Sequence, residues 1–165
     1  MHPCLRYTTY DILHTMLIYI RADHQGFKLK ESLKKYLQEE GYEVIDVGND
    51  HYKEDDDYPD FASLVGRAVG QDPVGRRGIV VCRSGIGVDI VANKYKGVRS
   101  ALVHNSFQAK LSRTDDDANV LALSDEFASG EKAEKIVETW LKTPFSGDER
   151  HIRRLEKIRE IENSL

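Results

Sequence analysis

Gly78-Ile79-Val80-Val81-Cys82-Arg83-Ser84-Gly85-Ile86-Gly87 is the stretch that decides the fold. An uncharged apolar run ends at a cysteine, meets an arginine and a glycine turn, and gives way to Val88-Asp89-Ile90-Val91-Ala92, apolar at helical spacing. A short run with no polar alternation reads as a strand buried on both faces, the kind that parallel sheets use. Glycines behind it let the backbone approach a ligand, and the N–H groups of a helix start can bind an anion. Buried strand, tight turn and helix together form the repeating unit of a parallel α/β protein.

The same alternation extends in both directions from this unit. Residues 16–21 (MLIYIR) read as a strand and 27–40 as a helix with Leu29, Leu33, Tyr36 and Leu37 on one face. Residues 42–47 are a second strand. An acidic loop, 48–57, leads to Tyr58-Pro59-Asp60, where Pro59 suits the first turn of a helix reaching about Gly70. After the strand at 78–82 come a helix at 85–95, a strand at 98–103, a helix at 105–113 and a strand at 118–123. Helices at 131–142 and 149–163 close the chain, the last highly charged with a thin stripe of Ile152, Leu155, Ile158 and Ile161. Strict β/α alternation with five strands predicts an α/β fold: a Rossmann-like three-layer αβα sandwich around a five-stranded parallel sheet. The expected division is one domain over 16–148, with 149–165 as its C-terminal helix and residues 1–15 as an N-terminal extension outside the functional argument.

Composition narrows the function classes. With 165 residues, 40% apolar and 32% charged, the chain suits one globular domain. A net charge of −4 gives no electrostatic reason for a nucleic-acid partner, and no apolar run nears the roughly 20 residues of a membrane span. The two cysteines, Cys4 and Cys82, make no disulfide framework, and no Cys/His set has zinc-ligand spacing, so neither metal nor cofactor is expected. The first residues lack the apolar core of a secretory signal, and a reducing cytoplasm is the simplest reading.

In open α/β sheets ligands bind beyond the carboxyl ends of the strands. That rule selects Asp23-His24, Cys82-Arg83-Ser84-Gly85 and His104-Asn105. At the helix start a thiolate on Cys82 is favoured by the dipole and by Arg83 beside it. Spacing leaves a second reading open, in which Cys82 is the last buried residue of its strand and the glycines only form a tight turn. Two rival motifs fail. A cysteine phosphatase needs arginine where Val88 stands, and a dinucleotide fingerprint needs glycine where Ile90 stands.

G-I-V-V-C-R-S-G-I-G-V-D-I-V-A-N-K, Gly78 to Lys94, resembles the signature of the type B ribose-5-phosphate isomerase and galactose-6-phosphate isomerase family. Asp23-His24-Gln25-Gly26-Phe27 is similar to its D-H-x-G-F, and Asp57-Tyr58-Pro59 to its D-Y-P. Lys96-Gly97-Val98-Arg99 resembles K-G-I-R, while Leu111-Ser112-Arg113 and Ala118-Asn119-Val120-Leu121 flank the place of L-[ST]-R-x-H-N-D-x-N-V-L. Arg150-His151-x-x-Arg154 matches R-H-x-x-R. The resemblance runs in order over about residues 16–165.

What it implies is an aldose–ketose isomerase of a small phosphorylated sugar, most simply ribose 5-phosphate, acting through an enediolate. By resemblance Cys82 is the base, Ser84 stands beside it, and backbone N–H groups through Gly85, Ile86 and Gly87 hold the enediolate. Asp23 and His24 contact the sugar and Tyr58 lines the pocket. Arg150, His151 and Arg154 clamp the phosphate of a partner subunit, which implies a homodimer with shared sites and leaves a dimer of dimers open. Without the resemblance, these three read as a solvated basic face on a charged helix.

The sequence departs from the family pattern at three places. Asp115 stands where the ring-opening histidine is expected, and Asp116 where asparagine is usual. Asp115 or His104 takes over that proton transfer, or the substrate is open-chain. Arg83 replaces the glycine after the cysteine, at a cost of roughly 1–2 kcal/mol if φ must be positive there. Glu126 replaces a basic residue, and Arg83 with Arg21 is expected to restore part of the positive field. The alternatives to ribose 5-phosphate are another four-to-six-carbon sugar phosphate, or a sugar-phosphate-binding homologue without catalysis.

Overall fold

Isoleucine, valine and leucine fill the strands because both faces of the sheet are covered, so neither face tolerates a polar row. The computed structural model describes residues 16–48 and 57–165; the expected extension at 1–15 and most of the acidic loop lie outside the described residues. Its strands are β1 (Leu17–Ala22), β2 (Glu43–Asp46), β3 (Arg76–Cys82), β4 (Ser100–Leu102) and β5 (Val120–Ser124). All pair in parallel in the order β2-β1-β3-β5-β4. The helices are α1 (Phe27–Glu39), α2 (Tyr58–Gln71), α3 (Ile86–Ala92), α4 (Ser106–Thr114), α5 (Glu131–Lys142) and α6 (Glu149–Ser164).

Period-two burial splits the core in two. Ile18, Ile20, Ile79, Val81, Leu121 and Leu123 face α1, α4 and α5, where Leu33, Ile136 and fully buried Trp140 meet them. Val80, Cys82, Val120 and Ala122 face α2 and α3, against Val65, Val69 and Val88. The three-layer sandwich is the architecture expected from the alternation.

The helix after Cys82 is shorter than expected at both ends. It begins at Ile86, because Gly85 sits at φ +78°, a left-handed conformation outside the helix. It ends at Ala92, where the Asn93 side chain turns to β4, accepting from the Ser100 N–H at 2.8 Å. Strand β4 is correspondingly short.

α6 differs from the other helices in its packing. Its one buried residue is His151, and Ile152, Ile158 and Ile161 are exposed. The Gly97 N–H donates to Glu162 at 3.0 Å, and Leu155 and Ile158 line a groove with Pro73, Val74 and Gly97. Those loops precede β3 and β4, so α6 lies beneath the amino ends of the strands.

Candidate active site

The strand order reverses between β1 and β3, and the crevice above that point is where an open α/β sheet binds its ligand. Asp23 follows β1 and Cys82 ends β3, so the topology puts them side by side. The Asp23 N–H donates to the Val81 carbonyl at 3.3 Å. The buried Asp23 carboxylate accepts the Gly26 N–H at 2.9 Å, closing the turn into α1. A methyl on Gly26 would lie 2.8 Å from the Val81 carbonyl oxygen, so glycine lets α1 start this close to β3. His24 is half-buried beside it, 3.0 Å from the Gln25 amide.

Cys82 is a free thiol, 5% exposed. Its sulfur accepts the Gly85 N–H at 3.1 Å, and the Ser84 hydroxyl accepts the Ile86 N–H at 3.3 Å. Two of the amides expected to hold an enediolate are therefore engaged within the turn. The Gly87 N–H, in the first turn of α3, has no intrahelical acceptor. Tyr58 lies over this turn, since a methyl on Gly87 would sit 2.6 Å from its ring. Ile86 is exposed at the rim.

Arg83 is drawn to a carboxylate. Its exposed guanidinium pairs with Glu126 at 3.2 Å, so its charge is directed to that carboxylate. The two departures from the family pattern are thus partners. The anticipated backbone cost is also absent, because Asp117 is the one non-glycine residue at positive φ among those described. Arg21 is buried on β1 with its guanidinium 4.0 Å from the centre of the Phe61 ring.

His104 packs edge-on against Phe127, ring centres 5.5 Å apart, and its Nδ1 is buried with no hydrogen-bond partner among the described residues. Sequence reasoning overlooked Ser124, which stands in register with Cys82. The carboxyl-end rule that selected Cys82 selects it too once β5 is extended by one residue.

The remaining candidates lie at the other end of the sheet. Asp115 ends α4 and accepts the Thr114 hydroxyl at 2.7 Å. The Asp116 carbonyl accepts from Arg99 at 3.0 Å, and Asp117 binds Arg99 and Arg113 at 2.9 and 2.8 Å. The acidic run therefore has a structural member in Asp117. His151 is buried with Nδ1 2.8 Å from the Ser146 hydroxyl, which seats the start of α6, while Arg150 and Arg154 are exposed. The seven-residue strand β3 separates the two ends by roughly 20 Å, beyond the reach of an arginine side chain. Within one chain the two groups of candidate residues thus do not meet. Among the described residues no three His, Cys, Asp or Glu side chains gather as a metal site, and no helix is long and apolar enough to cross a membrane.

Fold and site together define a doubly wound α/β protein with a glycine-turn cysteine at the switch point of its sheet. The chain belongs to the Ribose/Galactose Isomerase family, whose model matches residues 18–158. It is 43% identical to the probable ribose-5-phosphate isomerase B of Mycoplasma genitalium over 141 residues, 86% of this chain and 92% of that one. With ribose-5-phosphate isomerase B of Escherichia coli it shares 41% over 141 residues, 86% and 93% of the two chains. The crystal structure of the Mycoplasma genitalium ribose-5-phosphate isomerase B with bound ribulose-5-phosphate superposes with a TM-score of 0.88 at 40% identity, covering 92% of this chain and 99% of that one.

Proposed function

We propose that the chain interconverts ribose 5-phosphate and ribulose 5-phosphate through a cis-enediolate, with Cys82 as base and each site shared by two chains. The observation that carries this reading is the Cys82 turn: a free thiol ending the middle strand of the sheet, with a backbone N–H 3.1 Å from its sulfur. A thiolate there has a fixed donor and needs little reorganisation as charge moves. It takes the proton from C2 of the open-chain aldehyde, and the electron pair forms the C1–C2 double bond and places charge on O1. The proton returns to C1 while the O2 proton passes to O1, so no electrons leave the sugar. The Ser84 hydroxyl and the Gly87 amide face the enediolate, Asp23 and His24 take sugar hydroxyls, and Tyr58 walls the site.

The phosphate grip comes from Arg150 and Arg154 of the partner subunit. Support lies in the separation of the half-sites and in the apolar surface each leaves open: Ile152, Ile158 and Ile161 on α6, Ile86 and Ile90 on α3. A homodimer that covers both surfaces brings the arginines of one chain to the thiol of the other. Arg83 adds a cation when phosphate displaces Glu126. A reducing cytoplasm keeps the thiol free. Ring opening falls to Asp115 of the partner subunit. A second reading, an open-chain substrate of four to six carbons, is favoured by the hydrogen bond that ties this carboxylate to Thr114.

A panel of aldose phosphates assayed for ketose formation, with Cys82→Ala as control, tests the proposal. Ribose 5-phosphate is expected to turn over in the native chain and not in the variant. Tight binding without turnover across the panel would point to the binding homologue instead.

A further inference from the structure

Ser124 ends β5 in register with Cys82 and is fully buried. Paired residues of parallel strands point to the same face, so its side chain shares the α2–α3 face with the thiol. Val120 and Ala122, its neighbours on that face, are apolar. A hydroxyl buried there costs free energy unless it is bonded, and this one is bonded twice. It donates to the Arg83 carbonyl at 2.6 Å and accepts the Phe127 N–H at 3.2 Å. Two backbone bonds flank it, from the Asp125 N–H to the Cys82 carbonyl at 3.0 Å and from the Glu126 N–H to the Arg83 carbonyl at 3.2 Å. The β5–α5 turn thus clamps the peptide groups immediately after the cysteine, and Ser124 supplies the buried side-chain link.

We infer that Ser124 is a positioning residue for the isomerisation. By fixing the Arg83 carbonyl it sets the path of the turn that aims the Gly85 N–H at the Cys82 sulfur. The inference rests on Cys82 being the base. Without the hydroxyl, the Arg83 carbonyl keeps only the Glu126 N–H and the Phe127 N–H loses its acceptor, so the turn relaxes. Asp23, His24 and Tyr58 are held by β1 and α2 and are untouched. The loss therefore falls on the chemical step and not on binding.

Ser124→Ala is expected to lower kcat on ribose 5-phosphate about tenfold, the worth of one shielded hydrogen bond, with KM within about twofold. The rate penalty for deuterium at C2 of the substrate should grow, because proton transfer becomes slower relative to other steps. Ser124→Thr and Ser124→Val match each other in volume and differ in the hydroxyl, which covers the case where alanine destabilises the chain. Activity retained in threonine and reduced in valine supports the role. Equal activity in the two, or native kcat in Ser124→Ala while Cys82→Ala is inactive, overturns it. Full activity in Cys82→Ala would instead overturn the reading beneath it.

Discussion

Gly85 carries two demands that no other residue meets. Its φ of +78° is left-handed, and an added methyl would collide with Leu102 and lie 3.0 Å from the Leu123 carbonyl. Gly85→Ala should cost about 2–4 kcal/mol in chemical denaturation, from left-handed strain and overpacking together. It should also abolish turnover, since the displaced amide is the sulfur's donor. Gly87 answers to a side chain. A methyl there meets the Tyr58 ring at 2.6 Å, which can be relieved by truncating the tyrosine. Gly87→Ala is expected to destabilise by about 1–2 kcal/mol alone and by much less in a Tyr58→Ala background, a coupling that a double-mutant cycle reads directly.

At the scale of elements, the outer edge of the sheet is held by charge. Lys30 of α1 is 1% exposed and pairs with Asp46 at the end of β2, where Lys34 also donates at 3.0 Å. Burial raises the Asp46 carboxyl, but hydrogen bonds and attraction from Lys30 and Lys34 outweigh it and hold the group below its ordinary value of 3.8. A depressed carboxylate stabilises the fold fully above its unfolded value, and that stability is lost as pH falls through the folded value. Unfolding free energy should therefore drop as pH is lowered from about 5 toward 2, and part of that slope should vanish in Asp46→Asn. At neutral pH the same variant leaves the buried Lys30 ammonium with Glu31 alone, at 2.8 Å, and should cost about 2 kcal/mol, measured by urea unfolding.

Across the whole molecule, the proposed assignment of the phosphate grip to Arg150 and Arg154 requires two chains to meet. Cys82 lies at the carboxyl end of the sheet, and Arg150 and Arg154 belong to the helix that runs beneath its amino end. Cys82→Ala and Arg154→Ala homodimers should each be impaired, the second chiefly in KM. Unfolded together and refolded in equal amounts, they should regain about a quarter of native sites, because half the dimers are mixed and each mixed dimer has one intact site. No recovery on mixing would place thiol and arginine in the same chain's site.

The sequence determined the layers and the thiol. Hydrophobic runs of strand length alternating with amphipathic helices leave a covered parallel sheet as the arrangement that buries them, and the carboxyl-end rule then selects Cys82 together with Asp23-His24 and His104-Asn105. It could not show that Arg83 turns to Glu126, that Asp117 is tied to Arg99, or that Ser124 stands beside the thiol. Those pairs lie far apart along the chain or depend on register, and register is set by how strands dock in three dimensions. Strand order β2-β1-β3-β5-β4 was likewise a tertiary decision, and with it the crevice in which Asp23 and Cys82 become neighbours.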